Sequence, residues 1–209
     1  HRADHRRAGR RRSAVLMGAD RADTFEVSAL PTLYAGINFR SRSEARWAVF
    51  LDDLGVTWEY EPEGYSLPSG PYLPDFLLPN QDVWYEVKGK PPTERESALA
   101  HELAKGTGRP VMVAYHRMPR LHQTESVSHH HDVQEPPGQS IELFDADGWD
   151  NYYAWCICPS CGAVGVTFDG RGARVCRHNG EDKDYTGNHP RIRSAYEKAR
   201  TYRFWNPAR

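Results

Sequence analysis

Asp75, Glu86 and Lys88 lie within one short stretch, residues 72–90, that reads Y-L-P-D-F-L-L-P-N-Q-D-V-W-Y-E-V-K-G-K. Two carboxylates and a lysine brought to one point can bind a divalent cation beside an anionic ester, provided that the backbone turns once between them. The intervening residues supply that turn. Residues 72–78 and 83–88 are aromatic and aliphatic runs, and Pro79-Asn80-Gln81-Asp82 has the composition of a four-residue loop, so the stretch reads as a hairpin. This loop pairs Leu78 with Val83, Leu77 with Trp84 and Phe76 with Tyr85, which sets Asp75 across from Glu86 with Cβ atoms roughly 5 Å apart. Glu86 and Lys88 point the same way along their strand, with Cα atoms about 6.6 Å apart at the usual rise. Facing carboxylates repel, so a positive charge must sit between them, and magnesium or manganese, with oxygen ligands, suits the place.

The chemistry these residue types serve is hydrolysis of a phosphodiester. Such a substrate is anionic and resists attack, so developing charge must be neutralised and a water held in line, both of which a carboxylate-bound cation does. Lys88 would orient or deprotonate the water, or stabilise the transition state. The competing reading of the same residues is two exposed strands whose charges only solvate the surface.

Elements on either side must hold this hairpin. Ser41-Arg42-Ser43-Glu44 has the form of a capping box, and Ala45, Ala48, Leu51 and Leu54 then recur at helical spacing until Gly55. Residues 58–67 read as a strand broken at Pro62 and Gly64. After Pro91-Pro92, Thr93 and Glu96 form a second capping box, for a helix through Ala98, Leu99, Leu103 and Ala104 that ends near Gly106. Residues 110–115 read as a buried strand, which completes the order α-β-β-β-α-β.

That order, with an extended P-D segment followed by E-V-K, resembles the PD-(D/E)xK nuclease superfamily over residues 39–116. The resemblance implies an α/β (α+β) chain with a restriction-endonuclease-like core, and metal-dependent cleavage of nucleic acid. It implies that Asp75 and Glu86 are magnesium ligands and that Lys88 is the catalytic lysine. Many members add a glutamate on the first helix, and Glu44 stands at that place. Glu44 shares the sheet-facing side of its helix with Ala48 and Leu51, yet it equally suits the reciprocal half of the capping box.

A second constellation follows residue 150. Cys158-Pro159-Ser160-Cys161-Gly162 is a C-x-x-C-G knuckle, and Cys176-Arg177-His178 offers two more ligands. Between them Val164, Val166 and Phe168 alternate, residues 169–172 turn, and residues 173–176 return as a hairpin. Zinc takes four tetrahedral nitrogen or sulfur ligands, and a hairpin brings two ligand pairs together. Cys158, Cys161, Cys176 and His178 are therefore the candidate ligands of a structural zinc in a zinc-ribbon-like hairpin. Cys156 is a fifth candidate and His189 a more distant one, while ordinary thiols or a disulfide are the alternative.

At 209 residues the chain can hold one domain of ordinary size and a small appendage. The expected division is a basic, disordered extension over 1–30, the nuclease-like domain over 31–116, a linker over 117–140, the zinc-ribbon-like module over 141–189 and a basic amphipathic helix over 190–209. The linker contains His129-His130-His131-Asp132, which reads as solvated loop. The formal net charge is −1, and removing the +5 of residues 1–12 would take it to −6, so a nucleic-acid surface must be a local patch. The last segment offers one: Ile192, Ala195, Tyr196, Ala199 and Tyr202 form an apolar stripe, with Arg191, Arg193, Lys198, Arg200 and Arg203 around it as candidate phosphate contacts. With no transmembrane or signal-peptide segment and with reduced cysteines, the expected location is the cytoplasm.

The expectation is thus a magnesium-dependent deoxyribonuclease, an endonuclease before an exonuclease, with DNA as partner and no membrane. A homodimer or partner subunits stay open. The alternative is a non-catalytic zinc-containing nucleic-acid-binding or assembly protein that keeps the fold. Opposed carboxylates favour the enzyme, because a pure binder has no physical reason to aim them at phosphates.

Overall fold

The computed structural model describes residues 29–116, 118, 139–144, 150–168, 172–174, 176 and 189–205. Residues 1–28, the histidines of the 117–140 linker, and His178 lie outside them. The described chain opens with β1 (Thr32–Tyr34), β2 (Ile37–Phe39) and α1 (Arg42–Leu54), followed by β3 (Glu59–Tyr60), β4 (Tyr65–Leu67) and β5 (Gly70–Tyr72). The carboxylate hairpin is β6 (Phe76–Leu78) and β7 (Val83–Lys88), after which come α2 (Glu94–Thr107) and β8 (Val111–His116). The last elements are β9 (Gln139–Phe144), β10 (Asp150–Ile157), β11 (Val164–Phe168), β12 (Gly172–Arg174) and α3 (Pro190–Thr201). The architecture is mixed α+β.

Local signals account for the helices. Ser41, in extended conformation, accepts the Glu44 N–H at 3.1 Å to start α1, and Gly55 ends it at φ 71°, with its own N–H returned to the Asp52 and Leu51 carbonyls. Both halves of the Thr93–Glu96 capping box are formed at the start of α2. α2 ends near Gly106 as expected, running to Thr107, with Gly108 as the residue that turns left-handed, at φ 71°. The reason is that Gly106 keeps helical geometry, while Thr107 returns its hydroxyl to the Leu103 carbonyl at 2.8 Å. α3 begins on His189, whose Nδ1 accepts the Arg191 N–H, with Pro190 in the first turn where its missing N–H costs nothing.

Among the described residues the main sheet has the order β12-β11-β10-β9-β8-β7-β6-β3. The expected hairpin register holds, with Leu78 opposite Val83, Leu77 opposite Trp84 and Phe76 opposite Tyr85. β7 and β8 are parallel, so the chain must cross over between them, and α2 is that crossover. All other pairs of the sheet are antiparallel. Two expectations are corrected. The broken strand over 58–67 is two things: β3, which pairs with β6, and β4, which turns back at Pro68-Ser69 to pair with β5 as a separate hairpin. The strands expected to form a module over 141–189 extend the main sheet, because β9 pairs with β8 and β10 changes partner along its length, from β9 at its start to β11 further on.

Side-chain alternation then builds two cores. Val83 and Tyr85 of β7 face α1 and α3, with Trp47, Phe50, Trp155 and Tyr196 packed around them. Trp84 faces the other way, toward Leu103 and Ala104 of α2 and Phe144 of β9. Glu86 and Lys88, in phase with Trp84, therefore leave the sheet on the α2 side. α1 and α3 pack against each other on the opposite side, through Trp47, Phe50 and Tyr196.

Candidate functional site

Asp75 sits just before β6, and there side chains replace the ladder. Its N–H donates to Glu86 Oε2 at 3.1 Å, and its Oδ2 accepts the Val87 N–H at 2.7 Å. The Glu86 carboxylate is thus fixed to the Asp75 backbone and the Asp75 carboxylate to the Val87 backbone, and both are buried. Glu86 Oε1 meets Lys88 Nζ at 2.8 Å, and Lys88 also reaches Glu96 Oε1 at 3.3 Å. The same Glu96 carboxylate caps α2 at Thr93, so the helix start and the lysine are tied by one side chain.

Glu44 joins from the other side of the sheet. Its Oε2 accepts the Tyr60 hydroxyl at 2.6 Å and the Arg40 N–H at 3.2 Å. The Ser41 side chain caps the Glu44 N–H, but the Glu44 carboxylate is spent on Tyr60 and Arg40 and so does not supply the reciprocal half of a capping box. Glu44, Asp75, Glu86 and Lys88 all line one open cleft of about 890 Å³. Its further wall is the β4–β5 hairpin, through Tyr65, Ser66, Pro71 and Tyr72.

Electrostatics follow from this crowding. Burial first, and then the charges of Glu86 and Glu44, push the Asp75 carboxyl well above the usual carboxylate range. Burial likewise raises Glu86, against the opposing pull of Lys88. For Lys88, burial alone would lower the ammonium, but the charge and hydrogen bond of Glu86, with Glu96 and Asp75 behind them, hold it above its ordinary value. Tyr72 is raised by burial and by the neighbouring Glu86 and Asp75 charges, so it stays a neutral donor at the cleft wall.

Sequence reasoning missed the counter-charge. Arg40 Nη2 lies 2.6 Å from Asp75 Oδ1, and Arg40 Nε pairs with Glu61. The positive groups between the facing carboxylates are thus, in this structure, Arg40 and Lys88. Arg40 carried a signal only in its position, directly before the N-cap of the helix that supplies Glu44. Tyr60, Tyr72 and Glu96 were missed too, because they reach the cleft from β3, β5 and α2 by tertiary placement alone.

The cysteines form the second constellation. The sulfurs of Cys158, Cys161 and Cys176 lie within 4.8 Å of one another, close enough to hold a metal ion. Cys158 and Cys161 are brought together by a tight turn in which Cys158 N–H donates to the Ala163 carbonyl and Gly162 N–H to the Cys158 carbonyl, both at 2.8 Å. Gly162 takes φ 72° there, open to glycine at no steric cost. Burial would raise the Cys158 thiol, but N–H donors from Cys161 and Ser160 and the neighbouring thiols lower it to about 7, which favours a thiolate. Cys156 is buried and pushed up to about 12, chiefly by burial, and is not one of the three. His189 is engaged as the cap of α3 and is not among them either.

The basic face of α3 is partly consumed within the fold. Arg191 donates to the Gly162 and Leu54 carbonyls, Lys198 pairs with Asp53, and Arg200 pairs with Glu197. Arg203 is exposed and Arg193 half-buried. No helix among the described residues is long and apolar enough to cross a membrane. No protein-family model, curated protein or solved structure matches the chain.

Proposed function

We propose that this protein is a magnesium-dependent nuclease that hydrolyses phosphodiester bonds of DNA, on a restriction-endonuclease-like core. The observation that carries the reading is the buried Asp75–Glu86 pair with Lys88 at 2.8 Å, at the floor of an open cleft. The residues fit a hard divalent cation: the donor set is carboxylate oxygen, and two raised carboxyls in a buried site gain most when a cation neutralises them. Asp75 and Glu86 would hold it, with Glu44 as auxiliary. When bound, such an ion supplies charge neutralisation at a phosphoryl oxygen and a more acidic water. Lys88, held by Glu86 and Glu96, orients the nucleophile or neutralises the charge that develops on the phosphate. Tyr72 donates from the cleft wall, and the β4–β5 hairpin sets how a duplex or single strand can enter.

Cys158, Cys161 and Cys176 would hold a structural zinc, with the fourth ligand drawn from outside the described residues, where His178 is the sequence candidate. Arg193 on α3 and Arg203, just beyond its end, remain the side chains of this segment best placed for phosphate, since Arg191, Lys198 and Arg200 serve the fold.

The test is incubation with supercoiled, linear, single-stranded and branched DNA, in magnesium and in chelator. Cleavage is expected in magnesium only, and Lys88→Ala should lower kcat/KM by about 10²–10⁴. Absence of cleavage with DNA binding retained would move the assignment to a non-catalytic binding or assembly protein.

A further inference from the structure

The four oxygens of Asp75 and Glu86 are not equivalent. Asp75 Oδ2 and Glu86 Oε2 are tied to backbone, by the Val87 and Asp75 N–H groups. Asp75 Oδ1 and Glu86 Oε1 are each tied to a cationic side chain, Arg40 at 2.6 Å and Lys88 at 2.8 Å. A divalent cation that takes the oxygens not already bound to backbone, Asp75 Oδ1 and Glu86 Oε1, meets these side chains. They differ in how firmly they are held. The Lys88 side chain is 25% exposed, whereas that of Arg40 is 53% exposed against 3% for its partner Asp75. Arg40 is anchored through its backbone, whose N–H donates to Glu44 and to the Tyr60 hydroxyl, and through Nε, which pairs with Glu61, so its Nη groups can leave Asp75 by turning about the Glu61 pair while its Cα stays in place.

From this asymmetry we propose that Arg40 is an exchangeable counter-ion and a phosphate-binding residue. It neutralises Asp75 while no divalent cation is present, and it passes its guanidinium to a non-bridging phosphate oxygen of nucleic acid when one is. The inference rests on the metal-binding reading of the cleft. Three carboxylates, Glu44, Asp75 and Glu86, line the cleft against Arg40 and Lys88, so vacating Oδ1 exposes negative charge that a divalent cation compensates. The guanidinium then stands at the cleft rim, still paired with Glu61 through Nε, with its two Nη groups released, a flat fork that matches two phosphate oxygens at once.

The experiment measures two affinities in wild type, Arg40→Met and Arg40→Lys. One is manganese binding by calorimetry at pH 8; the other is binding of a short DNA oligonucleotide in calcium, by fluorescence anisotropy. Removing a competing positive charge from a half-exposed site should tighten manganese by roughly tenfold, while losing the phosphate contact should weaken DNA by roughly tenfold. Arg40→Lys should keep manganese affinity near that of wild type. Opposite signs are the signature, because a purely structural role for Arg40 would weaken both ligands together and lower the unfolding temperature. Equal manganese affinity in wild type and Arg40→Met, or equal DNA affinity, would overturn the exchange alone. If no variant binds manganese at all, the metal-binding reading of the cleft falls, and the exchange falls with it.

Discussion

Asp75 is held in place by neighbours rather than by water, and that has a sign. Burial raises its carboxyl and that of Glu86, so the folded protein binds these protons more tightly than the unfolded chain does. Stability linked to them is fully present below the ordinary carboxylate value of about 4 and is lost as pH rises through the raised values. The chelated protein should therefore lose thermal stability between mildly acidic and neutral pH on account of this pair, and a saturating divalent cation should restore it. Asp75→Asn should flatten the slope in thermal melts across that window; an unchanged slope would place its origin elsewhere. The residues behind this behaviour were legible where they obey strand arithmetic. A four-residue turn and a period of two suffice to set Asp75 against Glu86 and Lys88 beside it. Arg40, Tyr60 and Glu96 obey no such arithmetic, because each reaches the cleft through the packing of a different element.

The helices show how far local chemistry reaches. Both N-caps and the α3 apolar face, Ile192, Ala195, Tyr196 and Ala199, follow from sequence because capping and helical period need no distant partner, whereas Tyr202, expected in the same stripe, is exposed beyond the end of the helix at Thr201. Which glycine caps the end of α2 does not follow, since Gly106 and Gly108 look alike until the backbone is seen. They make opposite predictions. A Cβ at either position meets nothing within 4 Å, so only the backbone decides. Gly106→Ala should stabilise by about 0.5–1 kcal/mol, whereas Gly108→Ala, at φ 71°, should cost about 1 kcal/mol. Urea titration of the two variants checks the contrast, and equal shifts would contradict the capping assignment. The β4–β5 hairpin was illegible for a related reason: strands of three residues carry too short a pattern to say whether they pair with each other or with the sheet.

At the scale of the molecule, the cysteine turn is wired to the helical side of the fold. Arg191 at the start of α3 donates to the carbonyl of Gly162 in the turn and to that of Leu54 at the end of α1. Chelation of a bound metal, or Cys158→Ser, should thus lower the unfolding temperature and expose α3 to limited proteolysis, and the native protein should release about one zinc per chain on thiol modification. Unchanged proteolysis of a metal-free preparation would separate the cysteines from the helix. The core that α3 completes is aromatic, with Phe50 stacked on Tyr196 at 4.4 Å between centroids, and Phe50→Ala should cost about 3–5 kcal/mol in chemical denaturation.

α3 lies antiparallel to α1, with the carbonyls of Ala199 and Arg200 accepting from Arg46 in the first turns of α1, across 153 and 154 positions of chain. The helix that carries Glu44 is thus seated by residues made long after it. Until α3 has been made and docked, Trp47 and Phe50 of α1 lack the Tyr196 ring against them, and the helix that carries Glu44 lacks these two hydrogen bonds. Under the proposed phosphodiester chemistry, full activity should appear only once α3 has docked on α1.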